Sequence, residues 1–589
     1  MKNKKNSVKS LCVLVLFVML SNVVAIALAQ TAEKKTYGGT IVCTQGGDPA
    51  TLNPVLNTDQ IYLVQPYFDY LVEYDYDGKV RPSLATKYEI SSDGKTYTFT
   101  LAQGVKFHDG KELTSEDVKY TYDKALDPKT ASGHVIFIGG VEAVEAPSKY
   151  VVVFRLSRPI PWLLDGMAQI GILPKHIYEK ENFMNTKYNY QVIGSGPFKL
   201  ERWLRLDQIV GVANENYWKG RPYVDRVIFK IITETAVALS AVESGDADII
   251  SNQGTIGGFP MANLPKLREN PRLNIEMFPT VYLQKLYFTC DVPPFNNVKV
   301  RQAVAHLVDR QYIIDTLLYK MAPLAIGPWP AALDWASSPK WTSETYYKPD
   351  QAKAEALLDE AGYKRGSDGI RFRTTIYATT GFRTDMSEIM RSMLAKAGIE
   401  AKVVSADWTT YWTRIRYKHD EVNGLYSVYD DYIDPHMSVS EYHSSLIGGG
   451  GENGMRYNNP KVDELIDKGK LTSDRNERAK IYKELHDIIN TELPSFSLYE
   501  LPGITVSNKR IAGIKSIKGS VGGTYVPSMW RDAWIPSAAP TTTATITTKP
   551  PEKPSEDMTP LILAATGGAV VAAIIVGAYM RTRKPKSSA

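Results

Sequence analysis

Lys87-Tyr88-Glu89-Ile90-Ser91-Ser92-Asp93-Gly94-Lys95-Thr96-Tyr97-Thr98-Phe99-Thr100-Leu101 is the stretch on which the fold class turns. Residues 87–90 and 96–101 read as two strands, and Asp93-Gly94 between them supplies the positive φ that a tight hairpin needs. Thr114-Ser115-Glu116-Asp117 follows as a capping box, which predicts a helix running to about Leu126. Antiparallel strands followed at once by a capped helix point to a mixed α/β body.

Helices with clear punctuation recur further on. Asp350 is expected to cap a helix over 351–361 that Gly362 stops. Asp385 opens a run that puts Met386, Ile389, Met390, Met393, Leu394 and Ala397 on one face, and Gly398 ends it. Residues 461–471 and 474–490 predict two more helices, the second closed before Pro494. No repeat of 20 to 50 residues runs through the chain, which argues against a solenoid or propeller. Helices following strands over a body of this size fit several α/β lobes best.

The ends differ from the body. Of the 589 residues, 43% are hydrophobic and 23% charged, a globular composition. The net charge of +5 belongs to the two flanks. Without residues 1–29 and 561–589, the chain holds 61 basic against 64 acidic side chains. A nucleic-acid partner, which needs a basic stripe on the folded body, loses its support. Residues 1–29 carry Lys2, Lys4, Lys5 and Lys9, then an apolar run ending Ala27-Leu28-Ala29, and read as a secretory signal cut after Ala29. Residues 561–580 hold no charge and are long enough as a helix to span a bilayer core. Arg581, Arg583, Lys584 and Lys586 follow as a tail, 581–589, expected to stay cytoplasmic. Between body and span, residues 536–560 are Thr/Pro-rich and read as an extended stalk. The expected location is therefore the cell membrane, single-pass, with the body of residues 36–535 outside.

The body shows no phosphate loop, no H-E-x-x-H and no G-x-S-x-G elbow. Cys12 leaves with the signal, so Cys43 and Cys290 remain, either as a disulfide or as small core residues. His436 and His443 lie near Asp430, Asp431 and Asp434, but no pair has a recognised metal spacing, so no metal and no cofactor are expected.

Several segments in order resemble one family. Asp77-Gly78, Arg81-Pro82-Ser83-Leu84-Ala85, Ser92-Asp93-Gly94-Lys95-Thr96-Tyr97-Thr98-Phe99, Val105-Lys106-Phe107-His108-Asp109-Gly110 and Thr114-Ser115-Glu116-Asp117-Val118 are similar to the signature of the family 5 extracytoplasmic solute-binding proteins. These are the dipeptide, oligopeptide and nickel binders of ABC importers. Gly194-Ser195-Gly196-Pro197-Phe198, Asn216-Tyr217-Trp218, Val300-Arg301-Gln302-Ala303 and Tyr457-Asn458-Asn459-Pro460 continue the resemblance across nearly the whole body. It implies a type II periplasmic-binding-protein fold, two α/β lobes around a hinged cleft plus an extra domain. Lobe I would comprise about 36–60, 185–275 and 500–535, the extra domain about 61–184, and the remaining lobe about 276–499. Signal, stalk and span together resemble the archaeal arrangement.

The same resemblance implies site residues. In peptide-binding relatives an aspartate just before an acid-proline pair accepts the ligand's ammonium. Asp431-Tyr432-Ile433-Asp434-Pro435 resembles that element, which nominates Asp431, with Tyr432 beside it. Arg383 stands where dipeptide binders place an arginine on the ligand's carboxylate, and its planar fork suits that task; a solvated surface arginine is the competing reading. Trp408 corresponds to a cleft tryptophan that stacks on a peptide plane or a sugar ring. The implied function is a non-enzymatic, membrane-tethered receptor that captures di- or oligopeptides and delivers them to an ABC permease, with permease and ATPase on separate chains. The alternatives are an oligosaccharide binder of the same family, a surface hydrolase using Asp431 and Asp434, and an adhesive surface protein.

Overall fold

Asp93-Gly94 turns the chain as its sequence requires. Gly94 takes φ 66° and its N–H bonds to Ser91 O at 2.9 Å. The computed structural model describes residues 35–57, 60–251, 261–417, 424–430, 433–448, 451–518 and 527–536. Its strands begin with β1 (Thr40–Gln45), the short pair β2 (Val72–Tyr74) and β3 (Val80–Pro82), then β4 (Ala85–Ile90), β5 (Thr96–Leu101), β6 (Val141–Ser148) and β7 (Val151–Leu156). β8 (Phe198–Leu204), β9 (Gln208–Ala213), β10 (Arg226–Ile231), β11 (Ile249–Ser251) and β12 (Leu273–Phe278) follow. The rest are β13 (Leu283–Phe288), β14 (Phe372–Thr379), β15 (Ile399–Ala406), β16 (Leu425–Asp430), β17 (Ser495–Glu500) and β18 (Gly503–Asn508).

Seven strands form one sheet in the order β12-β18-β11-β1-β10-β9-β8, and five form another, β15-β14-β16-β13-β17. A four-stranded antiparallel sheet, β4-β5-β7-β6, shares a hydrophobic core with one face of the seven-stranded sheet, through Ile41, Val227 and Phe229 on one side and Phe99, Val152 and Phe154 on the other. The opposite face of the seven-stranded sheet is covered by Leu239, Val242 and Leu264 packed on Ile504 and Val506. The five-stranded sheet carries a separate core on each face.

The helices that matter for the site are α1 (Ser115–Leu126), α2 (Leu163–Met167), α3 (Thr235–Ser244), α4 (Gln351–Glu360), α5 (Phe382–Lys396), α6 (Trp408–Tyr417), α7 (Pro435–Ser440), α8 (Pro460–Leu471) and α9 (Arg475–Glu492). Local chemistry sets most of their ends. Thr114 N–H donates to Asp117 Oδ2 at 2.8 Å, closing the box that opens α1. Asp350 accepts from Lys353 N at 2.9 Å at the start of α4, and Asp474 from Asn476 and Glu477 at the start of α9. One start is corrected: α5 begins at Phe382, before Asp385. Gly381, at φ 86°, turns the chain out of β14, and Thr384 N–H already bonds to Gly381 O at 2.8 Å. The apolar stripe begins only with Met386 and so hides the first turn.

Two crossings join the large sheets side by side. β12 runs into β13 through 279–282, and β17 returns into β18 through Leu501 and Pro502. Thr280 Oγ1 donates to Leu501 O at 2.6 Å, and Leu501 N–H donates to Tyr282 O at 3.0 Å. Phe278 pairs with Gly503 on one side of the crossings and Leu283 with Glu500 on the other. A Cβ at Gly503 would strike the Phe278 ring, so only glycine fits there.

The expected single-pass location is corrected. Among the described residues no helix is long and apolar enough to cross a membrane. The longest, α9, carries acids and bases along its whole length. Residues 561–580, the signal 1–29 and nearly all of the stalk lie outside the described residues. Cys43 and Cys290 are both free thiols, Cys43 buried in β1 and Cys290 packed among the cores of the five-stranded sheet.

Candidate functional site

In the five-stranded sheet β14 lies between β15 and β16 and runs parallel to both. The chain leaves β14 through α5 to reach β15, then passes through α6 to β16 on the other side. α5 packs Met386, Met390 and Leu394 against Ile376 and Leu425 on one face. α6 packs Tyr411 and Ile415 with Tyr426 and Val428 on the other. The two connections therefore leave the C-terminal ends of β14 and β15 toward opposite faces of the sheet, the kind of switch point at which open α/β sheets bind ligands. β17 ends at the same edge, since Leu283 pairs with both Asp430 and Glu500.

Arg383 enters this edge from the first turn of α5. It is 8% exposed, so it is not a solvated surface arginine, and its Nη1 donates to Thr379 Oγ1 at 3.2 Å. Its charge is felt by Tyr411 of α6 and Tyr499 of β17, whose phenols burial pushes up and the guanidinium pulls back down. Trp408 opens α6 and is 47% exposed, with its indole edge-on to Trp412 at 5.5 Å. The other tryptophans of this region pack inside: Trp329 is fully buried, and Trp341 stacks on Tyr347.

Asp431 and Tyr432 lie outside the described residues. Their neighbour Asp434 lies within the described residues. Arg478 of α9 grips its carboxylate with Nη2 at 2.7 Å and Nη1 at 3.1 Å, and His436 N–H adds a bond at 2.8 Å that caps α7. Arg478 also donates to Tyr482 OH at 3.0 Å. Both oxygens of Asp434 are engaged, so it is not a free acid or base, and the paired-carboxylate hydrolase loses one of its two groups.

Immediately after this loop the five-stranded unit touches the four-stranded one. His436 stacks on Trp162 at 5.0 Å with the rings 13° apart, and Ile433 and Met437 join the core beneath Trp162. Burial holds His436 neutral, down to about 3, aided by Lys470, Arg478 and Arg158. Asp165 of α2 faces the same junction, where it accepts from Tyr74 OH at 3.2 Å. Burial first, and the charge of Asp434 second, push its carboxyl up to about 7. Sequence reading missed Trp162, Asp165 and Glu500 as members of this edge, because no local pattern announces a contact made between distant segments. Among the described residues no group of three His, Cys, Asp or Glu side chains is arranged to hold a metal ion.

Residues 79–449 match the family model described as bacterial extracellular solute-binding proteins, family 5 middle region. Heme-binding protein A of Haemophilus influenzae is 28% identical over 519 residues, covering 82% of this chain and 91% of the relative. The oligopeptide-binding protein AppA of Bacillus subtilis is 28% identical over 533 residues, covering 85% of this chain and 94% of the relative. Its structure in complex with a nonapeptide superposes with a TM-score of 0.65 at 25% identity, covering 85% of this chain and 100% of that one. NikZ of Campylobacter jejuni, solved with Ni(L-His), gives a TM-score of 0.67 at 27% identity, covering 82% and 97%. These relatives are named as binding proteins or were solved holding a ligand, and their ligands differ widely.

Proposed function

The chain belongs to family 5 of the extracellular solute-binding proteins, and from that premise we propose that it captures di- or oligopeptides and delivers them to an ABC permease. Permease and ATPase are separate chains in this reading, and the receptor makes and breaks no covalent bond. The observation that carries it is the edge of the five-stranded sheet. There the buried Arg383 and the exposed Trp408 stand at the ends of β14 and β15, and the Asp434–Arg478 pair fixes the start of α7. Asp431 takes the peptide's ammonium, Arg383 its carboxylate, and Trp408 packs on a peptide plane, with Tyr432 beside it. The units built on the two large sheets act as lobes, and the paired crossings at 279–282 and 501–502 act as the hinge on which they close. AppA, solved with a nonapeptide, supports the ligand class.

Thermal unfolding of the full chain with free-terminus peptides, their N-acetylated counterparts and oligosaccharides tests this. A ligand that binds only the folded state at a hundredfold excess over its Kd stabilises by about 2.7 kcal/mol. The expected result is stabilisation by free but not acetylated peptides, lost in Asp431→Asn. Stabilisation by sugars alone, or equal stabilisation by acetylated peptides, overturns the reading.

A further inference from the structure

Six acids are buried among the described residues: Asp69, Asp117, Asp248, Asp434, Glu441 and Glu500. Five of them are answered by a cation or by several donors. Arg510 holds Asp248, Arg478 holds Asp434, and Lys285 with Tyr287 OH holds Glu441. Tyr217 OH and Trp218 Nε1 serve Asp69, and the N–H groups of Thr114 and Lys175 serve Asp117. Glu500 is the exception. It is 6% exposed, and among the described residues the single hydrogen bond to its carboxylate comes from Ala331 N–H to Oε1 at 2.8 Å and no lysine, arginine or histidine pairs with it.

A cap for one backbone N–H does not explain a charged side chain here. A neutral serine, asparagine or glutamine would serve Ala331 equally well, whereas a carboxylate without a partner is costly to bury. The cost shows in the group itself: burial pushes the Glu500 carboxyl up to about 7, and only the Ala331 bond pulls it back. The position is as telling as the burial. Glu500 is the last residue of β17, at the sheet edge shared with the ends of β14 and β16, and the Leu501–Pro502 crossing follows directly.

We infer that Glu500 receives a positive charge brought by the ligand, so that the receptor prefers peptides bearing a lysine or arginine side chain. This rests on the placing of a peptide at this edge. Within that reading Asp431 already serves the ammonium, so the charge left for Glu500 is a side chain of the peptide. An ammonium or guanidinium docking there would form a charge-assisted bond in a dry setting and supply the counter-charge that the fold withholds.

The test is calorimetric titration of the full chain with free-terminus tripeptides identical except for lysine, norleucine or glutamate at one position. Glu500→Gln keeps an oxygen for Ala331 N–H, so the fold should stand, and the norleucine series reports whether it does. The expected result is that lysine peptides bind wild type on the order of 10- to 100-fold more tightly than norleucine peptides, with glutamate peptides weakest. In Glu500→Gln the lysine preference should collapse to about threefold or less while norleucine affinity holds. Equal binding of lysine and norleucine peptides to wild type, or a preference that survives Glu500→Gln, overturns the role of Glu500 and leaves the peptide reading intact. Failure of every tripeptide to bind wild type overturns the peptide reading, and this inference with it.

Discussion

Both large sheets contain the same motif, a strand flanked on each side by a parallel neighbour, yet their edges differ in the polar and aromatic side chains they carry. In the seven-stranded sheet β1 lies between β10 and β11, and α3 connects the outer pair. Its polar groups are spent on the fold itself. Gln45 donates to Gly47 O at 2.9 Å and accepts from Tyr62 OH. Asp48 accepts from Trp203 Nε1 at 2.8 Å, Leu206 N at 3.0 Å and Arg205 Nε at 2.9 Å. In the five-stranded sheet the corresponding edge holds a buried arginine, an exposed indole and a carboxylate with one bond. The proposed function places recognition at the second of these edges.

The largest expected effect strikes the scaffold of the second edge. Asp434→Ala leaves Arg478 buried without its carboxylate and should cost about 3–5 kcal/mol of stability, read by urea unfolding. A loss below about 1 kcal/mol would show that the pair does not fix the start of α7. A mirrored pair of substitutions sharpens the contrast further. Arg383→Ala should weaken peptide binding by about 2 kcal/mol or more, roughly 30-fold. Gln45→Leu strands the Tyr62 hydroxyl and should cost about 1–3 kcal/mol of stability with peptide affinity unchanged. If Gln45→Leu abolishes binding while Arg383→Ala spares it, the roles of the two edges are exchanged.

The junction of α2 with α7 gives a pH signature. Asp165, pushed up by burial and then by Asp434, and Glu500, pushed up by burial, both sit at about 7 in the folded protein. The folded state holds these protons more tightly than the unfolded chain, so stability rises as pH falls from 8 through 7. Below about 6.5 the buried His436, held down to about 3 chiefly by burial, acts the other way, because only the unfolded state takes up its proton. The half-buried His108 and the buried His134 and His486, each lowered to about 4 chiefly by loss of solvent, add to that fall. Melting temperatures from pH 8 to 5 should therefore pass through a maximum, and Asp165→Asn should flatten the alkaline limb. An unchanged limb would remove Asp165 from the junction. The smallest effect on stability belongs to Trp408→Ala, within about 0.5 kcal/mol because the ring is half exposed, while peptide affinity should fall. A large loss of stability would make Trp408 a packing residue.

Local chemistry was legible in the sequence wherever a turn or cap is closed by its own neighbours. The Asp93-Gly94 hairpin, the Thr114/Asp117 box and the Asp350 and Asp474 caps each need only residues a few positions apart. The start of α5 was missed because Gly381 sets it by backbone conformation rather than by a capping side chain. The strand-to-helix setting of Arg383 could be read, but its burial could not, since Tyr411 and Tyr499 come from other elements. Glu500 and Trp162 were invisible as site residues for the same reason. The register of β17 with β13 and the stacking of α7 on α2 exist only after distant segments have met.

Hydrogen exchange of the full chain, with and without a saturating mixture of free-terminus peptides, tests the division between the two edges most directly. The strongest slowing is predicted at 379–384, 406–411 and 430–434, with a smaller change at 45–48. Slowing centred on 45–48, or none at the ends of β14 and β16, would contradict the assignment of recognition to the five-stranded sheet.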